Sequence, residues 1–178
     1  MNQNDIDLIR HARKGSTEAF TAIVRNYKNF VYRTVLAILQ NRQDSEDVAQ
    51  EVFIKAYRAL AGLRDARTFP SWLAQIATRT ALDFIQSKRK NQTVELDSEK
   101  FVVNDDIHRA ANIRLDLENA LGHLSEEHRV VTILRVNGFD YEEIAQILGI
   151  PIGTVRSRLH NARMHLRQLL QDERGDNG

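Results

Sequence analysis

The sequence predicts an all-α protein of two small helical domains joined by a flexible acidic linker, and three observations predict it. Apolar residues recur at three- and four-residue spacing almost throughout. Proline occurs 2 times and glycine 8 times in 178 residues, too few for the turns of an all-β chain. One stretch, 91–107, breaks the periodicity and carries Glu95, Asp97, Glu99, Asp105 and Asp106 against Lys100 alone. The expected divisions are residues 1–90, a linker at 91–111, a second domain at 112–172 and a frayed tail at 173–178.

The first helix is expected from Asp5 to Lys14, ended by Gly15. Ser16 or Thr17 caps the second, in which Phe20, Ile23, Val24, Tyr27, Val31, Val35 and Ile38 are apolar. Asp44 or Ser45 is expected to cap the third, Glu46 to Ala61, whose inner side carries Val48, Val52, Ala56 and Leu60, flanked by Ala49, Phe53 and Tyr57. Gly62 stops it. After a short basic loop, Pro70 suits the first turn of a fourth helix that runs to about Lys90. Aperiodic and acidic, the stretch that follows reads as partly disordered; alternatively Val94, Leu96, Phe101 and Val102 make short contacts with the lobes.

In the second domain a helix is expected over 113–121, and Ser125 caps another that Gly138 ends. Asp140 and Glu143 form a capping box for a short helix, Tyr141 to Leu148. Gly149 turns the chain, with positive φ expected. A long helix then runs from about Thr154 to Leu170, where Val155, Leu159, Ala162, Leu166 and Leu169 form a continuous apolar stripe.

Composition bounds the function by exclusion. Lys plus Arg total 25 and Asp plus Glu total 24, so the net charge of +1 says nothing of partners and only its distribution can. The hydrophobic share, 42%, suffices for a packed core. Cysteine is 0, which excludes disulfides, thiolate metal sites and a cysteine nucleophile. No run approaches a membrane span, and Met1 to Arg10 lacks the apolar core of a signal peptide, so a soluble chain that stays where it is made is expected. No histidine pair, phosphate-binding glycine loop or matched acid–base set points to an enzyme, a metal or a cofactor.

Three constellations carry function. The stretch from Tyr141 to Arg158 has the spacing of a helix-turn-helix, with small Ala145 where the helices approach and Gly149 at the turn. Its second helix presents Arg156, Ser157, Arg158, His160, Asn161, Arg163 and Arg167, with Thr154 at its start, and no acid occurs from Pro151 to Gln171. Arginine pairs with guanine, asparagine with adenine, and serine or threonine with several base edges, so this face suits the DNA major groove. The competing reading is a solvated basic face against an acidic partner.

On the third helix, Ile54 lies among Asp47, Gln50 and Glu51. An apolar residue framed by acids and an amide is a candidate contact for a basic, partly apolar protein surface. The same face lacks the alternating ligands and turn glycine of a calcium loop. Finally, Arg64, Arg67, Arg79, Lys88, Arg89 and Lys90 outnumber Asp65 and Asp83 along the fourth helix and its entry loop, with Phe69 and Trp72 among them. Cations interleaved with aromatics suit single-stranded nucleic acid; read alone, Trp72 is a core anchor.

Taken together these stretches resemble the bacterial RNA polymerase sigma factors of the short, extracytoplasmic-function class. Asp44-Ser-Glu-Asp-Val-Ala-Gln-Glu-Val-Phe-Ile-Lys-Ala-Tyr57 resembles the region 2 helix that docks on the polymerase clamp, and Phe69-Pro-Ser-Trp-Leu-Ala-Gln-Ile-Ala77 the helix that follows. Leu124 to Arg129, Tyr141 to Ala145 and Gly153 to Leu159 resemble region 4. The resemblance implies a cytoplasmic, non-catalytic initiation factor whose partners are core RNA polymerase (clamp helices and flap), promoter DNA and, commonly in the family, an anti-sigma factor. It implies core docking by Asp47, Gln50, Glu51 and Ile54. It implies reading of a melted −10 element near Arg64, Arg67, Phe69, Trp72, Arg79, Lys88 and Arg89. Reading of the −35 element falls to Thr154, Arg156, Ser157, Arg158, Asn161 and Arg163, the last on phosphate. Arg79 stands where the family often has asparagine, Gln86 replaces a frequent arginine, and Ser125 a common proline.

A linker of 91–111 spans at most roughly 70 Å extended and about 25 Å relaxed. The resemblance implies DNA elements about 25 base pairs apart, roughly 85 Å of axis. Bridging them therefore calls for a scaffold, which core polymerase supplies. Two alternatives remain: a free-standing regulator binding duplex DNA through Thr154 to Arg167 without polymerase, and an adaptor without a nucleic-acid role.

Overall fold

The computed structural model describes residues 3–92 and 120–175, with side chains over 3–90 and 120–169. The described residues are helical and contain no strand. In the first lobe, α1 (Gln3–Arg13), α2 (Thr17–Leu39), α3 (Arg42–Ala59) and α4 (Phe69–Gln92) are joined by short turns, with the 3-10 turns η1 (Leu60–Gly62) and η2 (Ala66–Thr68) between α3 and α4. The second lobe contains α5 (Glu126–Val136), α6 (Tyr141–Leu148) and α7 (Ile152–Gly175). Helix α4 continues to Gln92, two residues into the expected linker; the rest of that linker and most of the helix expected over 113–121 lie outside the described residues.

Local chemistry sets the ends. Gly15 has φ +97° after α1, and the Ser16 hydroxyl accepts from Ala19 N at 3.1 Å to cap α2. For α3 the cap is Asn41, whose Oδ1 accepts from Asp44 N at 2.9 Å, and not Asp44 or Ser45 as expected. The reason is packing. Ser45 is buried one turn in, and its hydroxyl donates to the Asn41 carbonyl. Ser125 caps α5 as expected. The capping box on α6 is complete: Asp140 Oδ1 accepts from Glu143 N and Glu143 Oε2 from Asp140 N, both at 2.8 Å. Gly149 closes α6 at φ +65°. Helix α7 begins at Ile152 and continues to Gly175, into the tail expected to fray.

In the first lobe α2 is the central helix, packed by α1, α3 and α4. Ile9, Ile23, Val31, Val35, Val48, Val52, Phe69 and Leu73 are buried between them. Each fully buried aliphatic side chain contributes about 1.5–3 kcal/mol. The apolar stripe of α7 meets α5 and α6: Val155 and Leu159 share a buried cluster with Val131, Leu134 and Ile144, and Ala162 shares one with Ile133.

The two lobes pack on one another, an arrangement the sequence leaves open. Helix α2 lies along α5, and α4 along α6. Phe30 meets Phe139 with ring centroids 6.2 Å apart, and Asn137 Nδ2 donates to Thr34 Oγ1 at 3.2 Å. Arg89 Nη2 donates to Glu126 Oε2 at 2.8 Å. Ala37, on α2, belongs to the same buried cluster as Leu121, Leu124, Ile133 and Ala162.

Candidate functional site

On α3, Val48, Val52 and Ala56 face inward, which leaves Asp47, Gln50, Glu51 and Ile54 exposed on the outer side. Ile54 is 50% exposed. Glu51 pairs with Lys55 at 2.8 Å, and Lys55 Nζ donates to Thr80 Oγ1 at 3.3 Å, tying the face to α4. Tyr57, expected to flank the buried stripe, is exposed as well, and its ring meets Phe20 at 4.8 Å. Phe20, Phe53, Ile54 and Tyr57 line a shallow cleft of about 470 Å³ beside the acids. Sequence reading missed Tyr57 and Phe20 here; the signal was an aromatic three residues after Ile54.

The expected −10 residues do not form one cluster. Arg64 and Arg67 project from the loop before α4, and Arg64 is exposed. Arg13 Nη1 donates to the Arg64 carbonyl at 3.4 Å and tethers that loop to α1. Arg67 grips Asp65 through Nε at 3.0 Å and Nη2 at 2.8 Å, while its own N–H donates to Asp65 Oδ1 at 2.9 Å. These hydrogen bonds hold the Asp65 carboxyl below its ordinary value. Roughly 30 Å further along α4, Lys88 pairs with Asp44 and Arg89 with Glu126, each at 2.8 Å. Arg79, between them, is exposed beside a cleft shared with α6.

One expectation is corrected. Phe69 is fully buried and meets Tyr27 at 5.2 Å and Trp72 at 5.6 Å. The turn η2, capped by Asp65, swings the ring into the core, so Phe69 anchors the loop from beneath and offers no face to a base. Trp72 is half-buried against the same core.

On the helix-turn-helix, burial of Val155, Leu159 and Ala162 leaves Gly153, Arg156, Ser157, His160, Asn161, Arg163 and Met164 exposed. Thr154 is half-buried at the edge and its carbonyl accepts from Ser157 Oγ at 3.0 Å. Arg158 turns aside: its side chain is 23% exposed and donates to Glu127 Oε1 at 2.7 Å. Arg163 Nη2 donates to the Tyr141 hydroxyl at 3.3 Å, and the Arg135 guanidinium lies over the Tyr141 ring. Met164 was not singled out by sequence reading, although it falls one turn beyond His160. Among the described residues no group of acids and histidines is placed to hold a metal ion, and no helix is long and apolar enough to cross a membrane.

Comparison with known proteins gives this geometry a family. Residues 23–91 match Sigma-70 region 2 and residues 114–166 match Sigma-70, region 4. The chain is 32% identical to the ECF RNA polymerase sigma factor SigW of Bacillus subtilis, over 92% of this chain and 95% of that one. It is 34% identical to the ECF RNA polymerase sigma-E factor of Escherichia coli, over 88% of each. Among solved structures, CnrH in complex with the cytosolic domain of CnrY superposes with a TM-score of 0.71 at 25% identity, covering 96% of this chain and 99% of that one. The sigma factor RpoE of Bartonella quintana, in complex with the anti-sigma factor NepR, shares the fold with a TM-score of 0.76 at 22% identity, over 87% and 98%. With region 2 on its first lobe, region 4 on its second and full-length relatives above 30% identity, the chain belongs to the extracytoplasmic-function sigma factors, the promoter-specificity subunits of RNA polymerase.

Proposed function

We propose that this sigma factor docks on core polymerase through Asp47, Gln50, Glu51 and Ile54, extended by Tyr57. The −10 element is engaged through Arg64, Arg67, Trp72, Arg79, Lys88 and Arg89. The −35 element is read through Arg156, Ser157 and Asn161, with Thr154, Arg158 and Arg163 on its flanks. The observation that carries the reading is the outer face of α7. There Arg156, Ser157, His160, Asn161 and Arg163 stand exposed together on the second helix of a helix-turn-helix, without an acid from 151 to 171. A lone basic face is a phosphate binder; arginine, serine and asparagine along one helix also suit base edges.

Chemistry stays with the polymerase, and this chain contributes specificity and strand opening in the cytoplasm. An anti-sigma factor is proposed as a further partner. The structure of RpoE with the anti-sigma factor NepR supports that proposal, and CnrH of the same fold was likewise solved with a protein partner, the cytosolic domain of CnrY. The experiment is run-off transcription by core polymerase from a library of genomic fragments, with and without this protein. A defined set of promoters is expected, lost with Arg156→Ala. Fragment choice unchanged by the protein would refute the proposal, and tight selection of duplex DNA without polymerase would favour a free-standing regulator.

A further inference from the structure

Helix α1 lies before residues 23–91, the part of the chain that matches Sigma-70 region 2. It nevertheless packs on both 3-10 turns of the loop that leads into α4. Ile9 and Ala12 make the apolar part of that contact, in one buried cluster with Leu60, Leu63 and Ala66. Arg13 follows Ile9 by one helical turn and so leaves α1 on the same side, at the edge of the buried stripe. There its Nη1 donates to the Arg64 carbonyl. Arg10, three residues earlier, is exposed. Its charge reaches Asp65, whose carboxyl is lowered first by the Arg67 hydrogen bonds and further by Arg10.

Along the loop, buried residues recur every third position. Leu63, Ala66 and Phe69 point inward, while Arg64, Arg67 and Thr68 are exposed. The buried three hold the loop from beneath, and the Asp65–Arg67 clasp closes its second half. Its first half, at Arg64, is held from the side by α1. The peptide joining Arg64 to Asp65 is planar, so fixing its carbonyl fixes the direction in which the chain enters the clasp. Stability is not what the Arg13 guanidinium contributes. Its Nε is buried without a hydrogen-bond partner, and a buried donor left unpaired costs free energy. A methionine offers a similar unbranched stem without that cost; the arginine adds the fixed carbonyl.

We propose that Arg13 is a positioning residue for the −10 loop: by holding the Arg64 carbonyl it sets where the Arg64 and Arg67 side chains stand when they meet the melted strand. The proposal rests on the assignment of Arg64 and Arg67 to the −10 element. A loop already held in its bound shape loses less freedom on binding, so the gain is affinity for single-stranded DNA.

The test is Arg13→Met, assembled with core polymerase and titrated with a fork-junction DNA whose −10 strand is single, taken from a promoter the holoenzyme selects. The variant is expected to bind that DNA about fivefold more weakly. Its affinities for core polymerase and for duplex −35 DNA stay within about twofold of the parent, and its thermal midpoint is not lowered. Equal fork-junction binding would overturn the proposal. So would a lowered midpoint with weakened core binding, which marks a merely structural residue. Salt dependence separates positioning from direct contact: the slope of log affinity against log salt is expected to stay unchanged, whereas a slope smaller by about 0.7 would make Arg13 itself a phosphate contact. In an Arg64→Ala/Arg67→Ala background, Arg13→Met is expected to cost nothing further, because the side chains it positions are gone; an undiminished fivefold loss there would overturn the proposal. Full fork-junction binding by Arg64→Ala/Arg67→Ala alone would instead refute the −10 assignment beneath it.

Discussion

Arg158 is paired with Glu127 at 2.7 Å, across the gap between α7 and the first turn of α5. The bond draws one arginine of the reading helix toward its own lobe while Arg156, two residues earlier, stands free toward solvent. Two arginines that look equivalent in sequence are therefore given different work. On the proposed reading Arg156 meets a base edge, while Arg158 fixes α7 against α5 with its guanidinium turned to the flank.

Arg156→Ala is expected to weaken −35 binding by the holoenzyme by about 1–3 kcal/mol and to relax preference at one base pair. Arg158→Ala is expected to cost less affinity and to leave the preference unchanged. Binding of holoenzyme to duplexes with single −35 substitutions measures both. A larger, base-specific loss for Arg158 would reverse the roles.

Below α4, Phe69 is a core residue and not a stacking platform. Phe69→Ala is expected to destabilise the protein by about 3–5 kcal/mol. Its effect on −10 binding should vanish when folded protein is compared with folded protein. Thermal unfolding, followed by titration at a temperature where both chains are folded, checks this.

Gly149 and Gly153 make a matched pair around the turn of the helix-turn-helix. Gly149 has φ +65°, where an added Cβ is strained, so Gly149→Ala should cost about 1 kcal/mol. Gly153 is helical, with nothing near the position of an added Cβ, so Gly153→Ala should raise stability by about 0.5–1 kcal/mol. Chemical denaturation of the two variants gives opposite shifts on this account.

The Asp65–Arg67 clasp sets a pH dependence. Arg67, by side-chain and then backbone hydrogen bonds, lowers the folded pKa of Asp65 from its ordinary 3.8. The order this adds to the loop is fully present above that ordinary value and is lost as pH falls through the lowered one. The amide resonance of Arg67 should stay constant from neutral pH down to the ordinary carboxylate range and move only in stronger acid. Movement near neutrality would show that the clasp is not formed.

The helix ends were legible because single residues decide them. Positive φ at Gly149, the Asp140–Glu143 box and the Ser125 cap each follow from local chemistry. The α3 cap was not legible: Asn41, Asp44 and Ser45 are all good caps, and burial of Ser45 selected Asn41. Phe69 misled for a related reason, since its neighbours Arg64 and Arg67 suggested a nucleic-acid surface and only the turn at η2 shows the ring pointing inward. The lobe packing left a trace that was not used. Val35 to Leu39 is an unbroken apolar run, and Thr34 to Ile38 are all buried. A helix apolar on every side is covered on every side, and one lobe alone does not cover this one.

The most direct test of the central claim is the affinity of labelled protein for core RNA polymerase, measured beside Ile54→Asp. Ile54 is exposed and framed by acids, so the substitution leaves the fold intact and adds a charge at the centre of the proposed docking face. The account predicts tight binding by the parent and a loss of at least about 2 kcal/mol, near thirtyfold, in the variant. Equal affinity for the two chains would remove the docking face from α3, and absence of binding by the parent would contradict its action as a polymerase subunit.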